Sequence, residues 1–141
     1  MNMFTSRFNE ENTKKRFTEE YDKYPEFIVG VDFDNTIQYL DGNICQDIVE
    51  LLQELSKLPK IKLCLWSICR NTSDLTKKLQ FCKDHNIRID YINESPLKYG
   101  DNRKAFFNAL LDDRAGLESI YKCLIHLIVH AKNQLTQPQT K

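Results

Sequence analysis

The chain carries no net charge, since 20 lysines and arginines face 20 aspartates and glutamates. That balance argues against tight, indiscriminate binding to nucleic acid or to an anionic membrane surface, while leaving room for a local basic patch. No apolar run approaches the length that spans a bilayer, and even the stretch 123–129 is interrupted by His126. Met1-Asn2-Met3-Phe4 leads into polar and charged residues rather than an apolar signal core. Five cysteines, Cys45, Cys64, Cys69, Cys82 and Cys123, are an odd number without a compact framework, which excludes a disulfide scaffold and fits reduced thiols. The expected location is therefore the cytoplasm. Internal repeats and low-complexity tracts are also lacking, and 141 residues leave room for one core but not for a second domain of ordinary size.

What is present centres on Val29-Gly30-Val31-Asp32-Phe33-Asp34-Asn35-Thr36, an apolar run that ends in two aspartates one residue apart. The run 27–33 reads as a strand buried on both faces, so Asp32 and Asp34 emerge at its carboxyl end. Alternation along a strand points positions i and i+2 the same way and turns Phe33 back toward packing. Two carboxylates at the edge of a core repel each other and lose solvation, unless a cation neutralises one or one stays protonated. A metal-assisted reaction with one carboxylate as nucleophile and the other as acid/base uses both outcomes.

Residues 1–24 read as a polar lead-in, a loosely attached helix or extended segment with Phe4, Phe8, Phe17 and Tyr21 as isolated apolar anchors. After the first strand, Asp41-Gly42 signals a tight turn and a small flap. Ile48, Leu51, Leu52 and Leu55 recur at helical spacing up to Pro59. A second strand is expected over 61–66, then a helix capped by Thr72 or Ser73 and carrying Leu75, Leu79 and Cys82. A third strand over 87–92, a loop with Pro96 and Gly100, and a fourth strand over 106–111 follow. Leu117, Ile120, Leu124, Leu127 and Ile128 mark a final amphipathic helix, and 134–141 reads as a frayed tail. Strands separated by helices predict a parallel sheet with right-handed crossovers and helices on both faces. All strand carboxyl ends then share one edge, which gathers Asp32, Asp34, Ser67, Asp112 and Asp113.

Val-Asp-Phe-Asp-Asn-Thr at 31–36, Leu-Trp-Ser at 65–67 with Ile-Cys-Arg-Asn after it, a lysine upstream of the fourth strand, and Leu-Leu-Asp-Asp-Arg at 110–114 follow one another in that order. Over roughly residues 27–116 the chain resembles the haloacid dehalogenase superfamily of phosphohydrolases, in its nucleotidase-like branch. The resemblance implies a Rossmann-like three-layer α/β/α sandwich in one catalytic domain, 25–133. Neither gap between signatures has room for an inserted cap, so the site is expected to be open. It implies an Mg²⁺-dependent phosphomonoesterase in which Asp32 forms an aspartyl-phosphate and Asp34 serves as acid and then base. Mg²⁺ would lie between Asp32, the Asp34 carbonyl, Asp112 and Asp113, hard oxygen ligands for a hard cation. Ser67 would hold a phosphoryl oxygen, and Asn35, Thr36 and Arg70 would adjoin substrate. Lys104 is favoured as the charge-balancing lysine on reach and placement, with Lys98 as the alternative. Asn35 stands where the family most often has glycine, and asparagine tolerates the unusual backbone angles such a turn needs.

The open site suggests a nucleotide, a nucleic-acid end or another phosphomonoester as substrate, or a second copy of the chain covering the site; neither a membrane nor bulk nucleic acid is an expected partner. The competing reading is a non-catalytic module that keeps the acidic pocket for metal or phosphate recognition. Attack at carbon is disfavoured, because it needs neither Asp34 nor the acidic metal pair. Asp112-Asp113 also suits a helix amino terminus, where the macrodipole favours acids. His126 and His130 lack a Glu or Cys signature beside them, and Cys82-x-x-His85 has no second half, so no zinc site is expected. Trp66 reads as core.

Overall fold

In the computed structural model of the chain, residues 9–97 and 104–137 are described. Among these residues are four strands, β1 (Phe27–Val31), β2 (Ile61–Leu65), β3 (Tyr91–Ile92) and β4 (Ala109–Leu111), and four helices, one before each of β1, β2 and β3 and one after β4. The helices are α1 (Glu10–Lys23), α2 (Gln46–Ser56), α3 (Thr72–Asp84) and α4 (Leu117–Thr136). The sheet is wholly parallel in the order β3-β2-β1-β4. β1 is central, paired from Phe27 to Ile61 on one side and from Val29 to Ala109 on the other, which is why all five of its residues are buried. No helix among the described residues is long and apolar enough to cross a membrane.

Alternate strand residues, Phe27, Val29 and Val31, Ile61, Leu63 and Leu65, Ala109 and Leu111, join one core with buried side chains from all four helices. Burying each such side chain contributes about 1.5–3 kcal/mol. The opposite face, that of Ile28, Gly30 and Cys64, is met by loop. The Phe107 ring lies over Gly30 and the Cys64 Sγ–H points at the Glu94 carbonyl. Helices on both faces were expected, and here the sequence reading is corrected. Among the described residues the cover on that face comes from segments 93–97 and 104–108, which follow β3 and precede β4. The connection from β3 to β4 contains Pro96 and no helical apolar stripe.

The lead-in expectation is corrected as well. α1 is a full helix whose Phe17 is 0% exposed and packs edge-on against Phe27. Asn9 caps it by accepting from the Glu11 N–H at 3.0 Å. The helix stripe of Phe17 and Tyr21 was too sparse to announce burial, because α4 packs along α1 and supplies the cover. α4 in turn runs through Thr136, so residues 134–136 are helical rather than frayed, and Gln134 donates to Asp22 on α1 at 2.7 Å.

β3 and β4 are shorter than the predicted 87–92 and 106–111 for a shared reason: a side chain replaces a backbone rung. Leu63 N–H donates to the Asp90 carboxylate at 2.9 Å, and Ile28 N–H donates to the Asn108 side-chain carbonyl at 2.7 Å. Asn108 is buried, donates to Glu20 at 3.0 Å, and its backbone carbonyl accepts from Arg16 at 3.1 Å. One amide thus ties β1, β4 and α1. Asn108→Ala is expected to destabilise the fold by about 2–3 kcal/mol, since it strands a buried N–H. The check is a lower urea midpoint at unchanged m-value.

Candidate active site

The carboxyl edge of the sheet opens into a cavity of about 550 Å³ lined by Asp32, Asp34 and Asn35 after β1, Trp66, Ser67 and Ile68 after β2, Asn93 after β3, and Asp112, Asp113 and Arg114 after β4. Parallel strands deliver residues distant in sequence to one rim. A larger hollow of about 770 Å³ lies between α2 and α3, around Lys57, Lys83 and Arg88. It holds no acidic cluster, and two of its cations are already engaged with Glu54 and Asp90.

One wall of the rim cavity is acidic. Asp32, Asp112 and Asp113 each present a carboxylate oxygen, all within 4.8 Å of one another. Thr36, 0% exposed, organises them: its Oγ1 accepts from the Asp113 N–H at 3.0 Å and shares its proton between Asp32 at 3.1 Å and Asp113 at 3.2 Å. Asp112 is held by accepting from the Arg114 N–H at 2.9 Å. Burial pushes the Asp32 carboxyl up to about 6; the Thr36 hydrogen bond opposes this, and the charges of Asp112 and Asp113 add to it. Three hard oxygen donors at a spacing one ion can bridge fit a divalent cation that prefers oxygen at about 2.0–2.1 Å, and such an ion removes the repulsion that raises Asp32.

Behind the other wall, formed by Asp34, Ser67 and Ile68, lies a lysine that is neither residue expected from the sequence. Lys78, on α3 and only 4% exposed, donates all three of its protons: to Asp34 Oδ2 at 3.0 Å, Ser67 Oγ at 3.1 Å and the Ile68 carbonyl at 2.8 Å. Burial works against its charge, but the hydrogen bond and charge of Asp34 prevail, and its pKa stands above the ordinary value. Lys104 lies on the exposed lead-in to β4, and Lys98 lies outside the described residues. The signal for Lys78 was available: it falls on the stripe of Leu75, Leu79 and Cys82, where an ammonium has no reason to be unless it meets a partner.

Asp32 and Asp34 therefore share the cavity but face different neighbours, the first toward the acidic cluster and the second toward Lys78. Asp34 brings no side-chain oxygen to that cluster, so any contribution to a metal there falls to its main-chain carbonyl. Asn35 lines the cavity in the left-handed region at φ 62°, as its place in the turn required. Ser67 is fixed through its N–H, which donates to the Asn93 side chain at 2.8 Å. Asn93, also left-handed at φ 48°, and Arg114 are cavity residues that the sequence reading did not assign. Thr36, expected beside substrate, is fully buried and absent from the cavity lining, and its hydroxyl engages Asp32 and Asp113. Arg70 is likewise absent from the lining; its backbone N–H donates to Asp74 at the start of α3. Trp66, expected in the core, stands at the cavity mouth. His130 pairs with Asp22 at 2.9 Å, away from the acidic cluster. No family model matches the chain, and no curated protein or solved structure matches it either.

Proposed function

We propose that this chain is an Mg²⁺-dependent phosphomonoesterase of the haloacid dehalogenase type. One observation carries the reading: a half-buried aspartate inside a three-carboxylate cluster faces, across one cavity, a second aspartate hydrogen-bonded to a buried lysine that also holds a serine hydroxyl. Asp32 attacks phosphorus and the ester P–O bond breaks. Asp34 enters the cycle carrying a proton on the carboxyl oxygen that Lys78 does not hold, gives it to the departing alkoxide, then regains one from the water that cleaves the aspartyl-phosphate, returning Asp32 and releasing inorganic phosphate. Lys78 fixes Asp34 and Ser67 together, so the proton donor and the hydroxyl that receives a phosphoryl oxygen are set before substrate arrives. Asp32, Asp112 and Asp113 would hold Mg²⁺, which supplies neutralising charge where an anionic nucleophile meets an anionic ester.

The two walls give opposite electrostatic tasks to two aspartates that are nearly adjacent in sequence. That division disfavours the non-catalytic alternative, which needs the acidic wall alone. A phosphate-release assay over nucleotides, sugar phosphates, aryl phosphates and oligonucleotide ends, with and without Mg²⁺, tests the proposal. Release that requires Mg²⁺ is expected; saturable binding of phosphate without turnover of any ester would replace the enzyme with the binding module.

A further inference from the structure

Two apolar side chains stand at the cavity mouth, on either side of Ser67. Trp66 is the single tryptophan of the chain and is 37% exposed, and Ile68 is 88% exposed. Both line the cavity. Exposed apolar residues scattered singly need no explanation, but these two flank the hydroxyl assigned to the phosphoryl group. Ser67 turns inward to Lys78, leaving its neighbours at the rim.

The Trp66 ring is also held in place. It meets the Phe107 ring edge-on, with centroids 5.4 Å apart and planes at 71°. Phe107 occupies the space over β1 that Gly30 leaves empty; a Cβ at Gly30 would lie 2.8 Å from the ring. The missing side chain of Gly30 thus seats Phe107, and Phe107 steadies Trp66. A large ring with restricted motion and an open flank is a stacking surface already formed before binding.

The geometry points to Trp66, with Ile68 beside it, as the surface that receives the leaving group, and to phosphate esters of alcohols bearing a flat aromatic ring, nucleoside 5′-monophosphates among them, as the preferred substrate class. This rests on the phosphomonoesterase reading and narrows it. Stacking on an aromatic side chain is worth about tenfold or more in binding by truncation to alanine, whereas an aliphatic alcohol leaves the indole largely uncovered.

The test compares 2-phenylethyl phosphate and a nucleoside 5′-monophosphate with n-butyl phosphate, all primary alkyl esters with leaving oxygens of similar basicity, in the presence of Mg²⁺. In the unmodified protein kcat/KM is expected to favour the ring-bearing esters by about tenfold. Trp66→Phe should keep most of that ratio and Trp66→Ala should bring it close to one. Ile68→Ser, at a position too exposed to matter to folding, should lower it about threefold and serves if Trp66→Ala fails to fold. A ratio that Trp66→Ala or Ile68→Ser leaves untouched overturns the inference. Because Trp66 is the only indole, its emission reports the same contact without turnover: 2-phenylethylphosphonate should change it saturably and at lower concentration than butylphosphonate. If no ester is hydrolysed but this selectivity persists, the phosphatase reading fails and the stacking surface stands. Equal turnover of all esters, with no selective change in emission, overturns the stacking surface and leaves the phosphatase reading in place.

Discussion

Asp32→Asn is expected to abolish Mg²⁺-dependent phosphate release, by at least about a thousandfold, while raising the melting temperature of the metal-free protein. The two effects share one cause. Asp32 is held near Asp112 and Asp113 with its carboxyl pushed up to about 6, first by burial and then by those two charges. The amide cannot attack phosphorus, so the reaction loses its nucleophile. It keeps an oxygen that accepts from Thr36 and offers an N–H₂ to the neighbouring carboxylates, so repulsion becomes hydrogen bonding. The sign with pH follows from a folded pKa above the unfolded one. Asp32 contributes stability in full below about pH 4, and that contribution is lost as pH rises through about 6. For a half-buried group screened by solvent the loss is about 1–2 kcal/mol. Melting curves of the metal-free protein from pH 4 to 8 should therefore diverge, with the asparagine variant pulling ahead by a few degrees above pH 6. Adding Mg²⁺ at pH 7.5 should raise the midpoint of the unmodified protein and barely move that of the variant. A variant no more stable than its parent at pH 7.5 would mean that the three carboxylates are not in mutual repulsion.

The second large effect separates two lysines. Lys78→Met should lower kcat by about a hundredfold to a thousandfold, the usual cost of removing one positioned donor from a site that stabilises transferring charge. Lys104→Ala should stay within about twofold of the parent, because Lys104 lies on the exposed lead-in to β4. Methionine keeps the apolar stem of Lys78 packed while withdrawing the bonds to Asp34, Ser67 and Ile68. A folded Lys78→Met protein with full activity, or an inactive Lys104→Ala protein, would return the role to the segment before β4. Circular dichroism and urea midpoints distinguish loss of chemistry from loss of fold.

The central strand was legible because a run such as Phe27-Ile28-Val29-Gly30-Val31 has one stable destination, the middle of a parallel sheet, and its carboxyl end must then carry Asp32 and Asp34 to the shared rim. β2 and α2 were legible for the same reason, since their periodicity is local and strong. β3 and β4 were read too long because Asp90 and Asn108 each place a side chain where a backbone rung was expected, and no propensity scale registers that exchange. α1 was read as loose because its apolar stripe is thin. Its burial comes from α4, more than ninety residues further along the chain.

The sequence by itself determined the order of the elements, the single parallel sheet, and the arrival of Asp32, Asp34, Ser67, Asp112 and Asp113 at one edge, because alternation and strand direction are properties of short segments. Only the tertiary structure decided which lysine reaches Asp34 and Ser67, that Thr36 bonds to carboxylates, that among the described residues loop meets the second face of the sheet, and that Trp66 stands at the mouth. A lysine ammonium lies several bonds from its backbone, so more than one lysine was compatible with every local pattern. What brings Lys78 to Asp34 and Ser67 is the packing of α3 on the common core, which depends on contacts between residues far apart in the chain and is written in no single stretch of it.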